Sequence, residues 1–237
     1  MYEPRLYRDI AKEGFSLEIA YKESDILIVS SAEIEYKEAY NLLIKYYGIV
    51  EKYAKDRPDF LNSLSPLKED SRASSIAKDM IFYSGLAGTG PFSAVAGAIS
   101  FYVGRELLSS VDEIILENGG DIFIKTKKAR RIGVYLGENS SFPQLGLEIQ
   151  PRNGDFGIAS SSSLLGHSLG FGQAELVTVI GKNSMVADAF ATAFSNKVKD
   201  DRSVDFVLKE ARKNDYLDGL MIVFKGQLYI WGDIALA

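Results

Sequence analysis

Four groups of residues in this chain have the types and spacing to do chemistry. Asp188 and Thr192 stand four apart in VADAFATA (186–193). In a helix that spacing puts a carboxylate and a hydroxyl on one face, where both can ligate a hard cation such as Mg²⁺. A plainer reading stands beside it. Ser184 is a good helix N-cap, which places Asp188 in the first turns, where the helix dipole favours a carboxylate without any ligand, and Thr192 can bond back to its own helix. The run Ser160, Ser161, Ser162 and Ser163 reads as a loop. It is either merely flexible or a source of hydroxyl and backbone donors for a phosphate or carboxylate. His167, the single histidine, suits a structural hydrogen bond, a ligand contact or general acid–base work. In ENGGD (117–121), Asn118-Gly119 signals a tight turn. Gly120 and the polar pair Asn118 and Asp121 exceed what that turn needs, and can present N–H groups and a carboxylate to a ligand.

These residues must be placed by strands and helices that the patterning locates. FSLEIA (15–20) and ILIVSS (26–31) are β-like runs around a polar link. From Lys37 to Tyr53, apolar residues recur at three- and four-residue steps, predicting an amphipathic helix that stops at Arg57-Pro58. A polar connector, 62–75, shows no period. A helical region starts near Ile76 and breaks at GLAGTGP (85–91), a run that resembles a phosphate loop but lacks its Lys-Ser/Thr. The next helix opens on Pro91, and Ala94, Gly97, Ala98 and Phe101 give it a face small enough for very close packing.

Further on, IIL and IFI flank the ENGGD turn, and RIGVYLG (131–137) and LGLEIQ (145–150) read as more antiparallel sheet. An apolar strand, 176–180, leads into the helix of Asp188, followed by a helix from Val204 to Arg212 and a hairpin of GLMIVF (219–224) and LYIWG (228–232). Each half runs hairpin, helices, hairpin, and ILENGGDIFI matches IVFKGQLYIW in pattern. The expected fold is therefore α+β: a pseudo-duplicated antiparallel sheet with helices packed on one face. No Gly-, Ser- or Pro-rich linker divides the chain, so a single domain over 1–237 is expected.

Composition removes several function classes. A net charge of -5 argues against a general polyanion binder, so no nucleic-acid partner is expected. With no cysteine and one histidine, a thiolate or histidine-rich metal site is excluded, leaving a hard cation held by oxygens. The N-terminus carries charges where a signal peptide needs an apolar core, which predicts a cytoplasmic protein. No charge lies between Asp79 and Arg105, long enough for a membrane span. Gly85, Gly88, Gly90 and Pro91 break that run, so a helix packed on a sheet is expected and no membrane partner.

GTGPFSAVAGAIS (88–100), ENGGDIFI (117–124), GIASSSSLLGHSLGFGQAE (157–175) and VADAFATA (186–193) resemble, in order and spacing, the motifs of a prokaryotic family of the ApbE-like superfamily, distant relatives of the FAD:protein FMN transferases. The resemblance spans nearly the whole chain and implies a T-fold-like architecture. In the better-known members a GG turn, a Thr-Ser-Gly loop, a histidine and an Asp-Ala-x-x-Thr-Ala helix surround a flavin nucleotide and Mg²⁺. By that resemblance Gly119, Gly120, Asp121 and Ser160 to Ser163 bind substrate, His167 matches the catalytic histidine in position, and Asp188 and Thr192 hold the metal; Asn118 beside the turn and Ser168 beside the histidine complete the candidate substrate-binding set. The Asp-Pro-x-Thr-Gly run expected after the histidine is absent. Ser168-Leu169-Gly170-Phe171-Gly172 stands there instead, and this departure counts against FAD or FMN and against flavin transfer.

The expectation is thus a Mg²⁺-dependent enzyme that binds an anionic, nucleotide- or phosphate-bearing small molecule and transfers a group from it. A homo-oligomer is compatible with the sequence. The alternatives are a non-catalytic ligand-binding or accessory protein, including one in sulfide assimilation and homocysteine formation as the resemblance implies, and an FAD:protein FMN transferase.

Overall fold

The computed structural model describes residues 14–136, 142, 144–163 and 171–237. Strand β1 (Phe15–Tyr21) and β2 (Ser24–Ser30) form the first hairpin. Helix α1 (Tyr36–Asp56) follows, its buried stripe of Ala39, Leu43, Tyr46, Val50 and Ala54 keeping the three- and four-residue steps of the sequence. Arg57-Pro58 ends it as expected. Pro58, however, opens a further short helix, α2 (Pro58–Asn62), because its fixed φ suits a first turn and Phe60 finds a fully buried seat.

Helix α3 (Ser75–Ala87) stops at Gly88, whose φ of 77° is left-handed. A 3-10 turn, Pro91–Ala94, then leads into α4 (Val95–Leu107). The GLAGTGP run is therefore a helix stop and restart, with Thr89 N–H donating to Ser84 O at 3.0 Å. No single described helix is long and apolar enough to cross a membrane, and α3 and the segment Pro91–Leu107 meet at a bend of 101°.

Strands β3 (Ile114–Asn118) and β4 (Asp121–Lys125) close the first half. After β5 (Arg130–Tyr135) and β6 (Gln144–Ile149) come β7 (Phe156–Ser161), β8 (Leu176–Gly181), α5 (Ser184–Lys197), α6 (Asp201–Ala211), β9 (Leu217–Phe224), β10 (Gln227–Gly232) and the two-residue β11 (Ala235–Leu236). One antiparallel sheet has the order β1-β2-β3-β4-β7-β8-β9-β10. Each half contributes two adjacent hairpin-like pairs with helices between them, and the halves join where β4 pairs with β7. This is the pseudo-duplicated α+β architecture expected from the repeated pattern.

Alternation along the strands sends Leu116, Phe123, Ala159, Val177, Val179, Leu220 and Ile222 into one core with all the long helices. The opposite face, through Ile122, Ile124, Ile158, Leu176, Ile180 and Met221, is covered by a second sheet, β11-β6-β5. β5 and β6 pair antiparallel as the sequence predicts, but they do not join the large sheet. They form this separate layer because their apolar residues Ile132, Val134, Leu147 and Ile149 all point at the face the helices leave bare.

Candidate active site

Helix α5 lies along β7. A Cβ on Gly157 would sit 2.2 Å from Ser184 Cα at one end, and at the other Ser163 Oγ meets Ser195 Oγ at 2.9 Å. Asp188 and Thr192 fall on the turns between these contacts. The helix is capped by Asn183, whose side chain accepts from Val186 N–H at 2.9 Å, and not by Ser184. Both residue types cap well; Asn183 has the extended backbone the position needs, which frees Ser184 to donate to Gly97 O at 2.7 Å. Asp188 is accordingly the fifth residue of α5, past the first-turn amides that a dipole role requires.

The Asp188 carboxylate instead reaches across to α4. Its Oδ2 accepts from Gly97 N–H at 2.9 Å. Gly97 permits this approach, since a Cβ there would lie 2.3 Å from Ser184 O and 2.9 Å from Asp188 Cβ. The close-packing face read in the sequence around Ala94, Gly97 and Ala98 is this crossing. Asp188 is 9% exposed. Burial pushes its carboxyl up to about 7, against a smaller downward pull from the Gly97 and Ala96 N–H groups. Thr192, one turn on, is half-buried.

The β3–β4 turn comes next to this crossing. Asn118 pairs with Asp121, so the central residues are Gly119 and Gly120, one residue later than the Asn118-Gly119 signal suggested. Their φ values of 69° and 100° show that Gly120 is needed by the turn and is no surplus. Its N–H is not presented to a ligand either, because it donates to Glu117 Oε1 at 2.8 Å. Asn118, buried on the helix side, donates from Nδ2 to Ala96 O at 3.4 Å. Asp121 lies on that same side by alternation from Phe123. Thus Asn118, Asp121, Ala96, Gly97 and Asp188 are brought together.

The serine run divides. Ser160 and Ser161 belong to β7 and are not loop, because their backbone continues the ladder opposite Thr178 and Val177. Ser160 hydroxyl is committed to Thr178 Oγ1 at 2.9 Å on the sheet face away from the helices, while its N–H donates to Gly120 O at 3.2 Å. Ser161 shares the helix-facing side with Ala159. Ser162 is half-buried, and Ser163 is tied to Ser195 and, through its N–H, to Ala174 O at 3.2 Å. His167 and Ser168 lie outside the described residues. Gly97, Ser100 and Ser184 also take part in this crossing and its contact with β4, and of them the sequence pointed only to Gly97, through its small-residue face.

The donor set can be tested against Mg²⁺. Asp188 offers one carboxylate and Thr192 one hydroxyl, and among the described residues no group of three or more His, Cys, Asp and Glu could hold a metal. Mg²⁺ is commonly held by one or two carboxylates, with waters and ligand phosphates completing its shell. The residues fit the ion provided a bound anion shares it. A cation there would favour the ionised form of Asp188 and so offset the desolvation that raises its carboxyl.

Comparison with known proteins bears on the family and the fold. The chain is 32% identical over 225 residues to a UPF0280 protein of Methanocaldococcus jannaschii, covering 93% of this chain and 91% of the relative. It is 34% identical over 219 residues to a UPF0280 protein of Methanococcus vannielii, covering 90% and 88%. Among solved structures it is similar to the flavin transferase ApbE from Vibrio cholerae, with a TM-score of 0.63 at 15% identity over 93% of this chain and 97% of that one. The flavinyl transferase ApbE of Pseudomonas stutzeri gives a TM-score of 0.62 at 12% identity over 94% and 95%. At such identities the likeness shows the fold alone. The expectation against FAD and FMN gains no support from it, since both matched structures are flavin transferases. A family model described as AbpE bacteria matches residues 8–216. With that match and relatives above 30% identity along most of its length, the chain belongs to this family, a branch of the ApbE-like superfamily.

Proposed function

We propose that this protein binds a nucleotide-like, phosphate-bearing small molecule beside Mg²⁺ and transfers a group from it. The observation that supports this most is Asp188: a carboxylate buried against the start of α4, four residues before Thr192, next to the Gly119-Gly120 turn. An ionised carboxylate in such a place is poorly solvated, and a divalent cation with an anionic ligand is the partner that restores its charge balance. In this reading Asp188 and Thr192 hold the ion, which draws charge off the transferred phosphoryl oxygens when bound. Gly119 and the helix-facing Ser161 contact the anion, and Asn118 and Asp121 line it. His167 orients or protonates the substrate, with Ser168 beside it.

Titration calorimetry with FAD and with ADP, each with and without Mg²⁺, tests the reading. Binding of either that requires Mg²⁺ is expected. Failure of both to bind, with no small molecule released from the denatured protein on mass spectrometry, would overturn it.

A second reading, FMN transfer from FAD to a protein hydroxyl, is favoured by the fold shared with flavin transferases over more than nine-tenths of the chain. The hydroxyl oxygen would bond to the FMN phosphorus, AMP would leave, and the hydroxyl proton would pass to a base. The missing Asp-Pro-x-Thr-Gly run after His167 counts against it. Incubation with FAD, Mg²⁺ and a flavinylation-target domain decides: a covalently fluorescent target band in a denaturing gel would establish transfer.

A further inference from the structure

We propose that Ser100 is a positioning residue that locks the cation-binding helix crossing to the glycine turn. This rests on the reading of Asp188 and Thr192 as cation ligands. Ser100 sits on α4 and is fully buried. Its hydroxyl lies 2.9 Å from Ala96 O and 3.1 Å from Asp121 O.

The shorter contact alone has an ordinary explanation, since a helical serine often bonds back to the carbonyl four residues earlier. The longer one does not. It joins α4 to the first residue of β4, directly after the Gly119-Gly120 turn, across a separation of 21 residues. A hydroxyl has one proton, so it must divide that proton between the two acceptors or choose one. Ala96 O has another donor in Asn118 Nδ2 at 3.4 Å, which leaves the Ser100 proton available to Asp121 O.

Ala96-Gly97 is thereby held on every side. Its N–H groups meet Asp188, Gly97 O meets the Ser184 hydroxyl, and Ala96 O meets Asn118 and Ser100. Of these partners two also reach the turn: Ser100 through its bond to Asp121 O, and Asn118 through its pairing with Asp121 across the β3–β4 hairpin. Without Ser100 the tie between the Ala96-Gly97 segment and the turn falls to the longer Asn118 Nδ2 contact of 3.4 Å, and the spacing between the Asp188 carboxylate and the turn is held less tightly. Outer groups that orient metal ligands typically matter by roughly 10–100-fold in metal affinity.

The test compares Mg²⁺ affinity, measured calorimetrically at fixed ADP, with unfolding midpoints in urea without Mg²⁺. Ser100→Ala is expected to weaken Mg²⁺ binding at least about 10-fold. Thr126→Ala serves as a control for lost stability, because Thr126 is a buried hydroxyl bonded to Glu113 and Lys128 O at the open end of the β3–β4 hairpin, the opposite end from the glycine turn. It should lower the urea midpoint and leave Mg²⁺ affinity unchanged. Ser100→Thr, which restores the donor, should recover most of the affinity. Should Ser100→Ala not accumulate folded, Ser100→Cys, similar in size with a weak donor, takes its place. Wild-type Mg²⁺ affinity in Ser100→Ala, or an equal loss in Thr126→Ala, would overturn the positioning role while leaving the cation reading intact. No Mg²⁺ binding by the wild type would remove both.

Discussion

Asp188 on α5 and Gly97 on α4, 91 residues apart in sequence, are joined by a hydrogen bond of 2.9 Å from the Gly97 N–H to the buried carboxylate. The bond exists because Gly97 has no side chain, and a methyl group there would press on Ser184 O and Asp188 Cβ. Gly97→Ala should therefore destabilise the protein by about 2 kcal/mol or more, although alanine is the better helix former by about 1 kcal/mol. Equilibrium urea unfolding checks this. A variant as stable as the wild type would show that the two helices can separate freely.

The raised Asp188 carboxyl gives stability a pH dependence of definite sign. From its ordinary value of 3.8 up to about 7, the folded chain keeps a proton that the unfolded chain has released. Folding is then favoured by acid in that window, and the contribution of Asp188 to stability falls as pH rises through it. In metal-free buffer the contribution should drop by up to about 4 kcal/mol between pH 4 and pH 8. Asp188→Asn, which keeps an acceptor for Gly97 N–H without the charge, should abolish this component and be more stable than the wild type at pH 8. Parallel pH profiles for the two proteins would contradict the buried-carboxylate assignment.

The glycine turn separates conformational from steric demands. Gly119, at φ 69°, lies in the left-handed region that asparagine tolerates, so Gly119→Asn should change stability by less than about 1 kcal/mol. Gly120 has φ 100°, where a β-branched residue is strained even though the nearest obstacle to a Cβ, Ser160 O, is 3.6 Å away. Gly120→Val should lower stability by about 1–3 kcal/mol. Thermal melts of the two variants give the comparison, and equal losses would place the constraint in packing.

Much of this organisation was legible because it is periodic or local. The α1 stripe, the break at Gly88 to Pro91, the alternating strands and the matching halves all follow from residue patterns that one element decides for itself. Asp188 and Thr192 were legible as a helical pair for the same reason. What the carboxylate touches was not, since its partner is a backbone N–H on another helix and any residue type supplies one. Asn183 and Ser184 both make good caps, and Gly119 is competent at either position of the turn, so each choice was settled by neighbours. Ser160 and Ser161 looked like loop because serine rarely favours a strand; the ladder to β8 and the Thr178 hydroxyl override that preference.

The most direct test is the response of the melting temperature to Mg²⁺ at pH 8, with ADP present, for the wild type and Asp188→Asn. Ligation by Asp188 predicts a rise in the wild type that shrinks as pH is lowered below about 7, because Mg²⁺ and the proton compete for the same carboxylate. It predicts that most of this rise is missing in Asp188→Asn. An equal rise in both proteins, unchanged with pH, would contradict a cation at Asp188 and leave that carboxylate only its bond to Gly97.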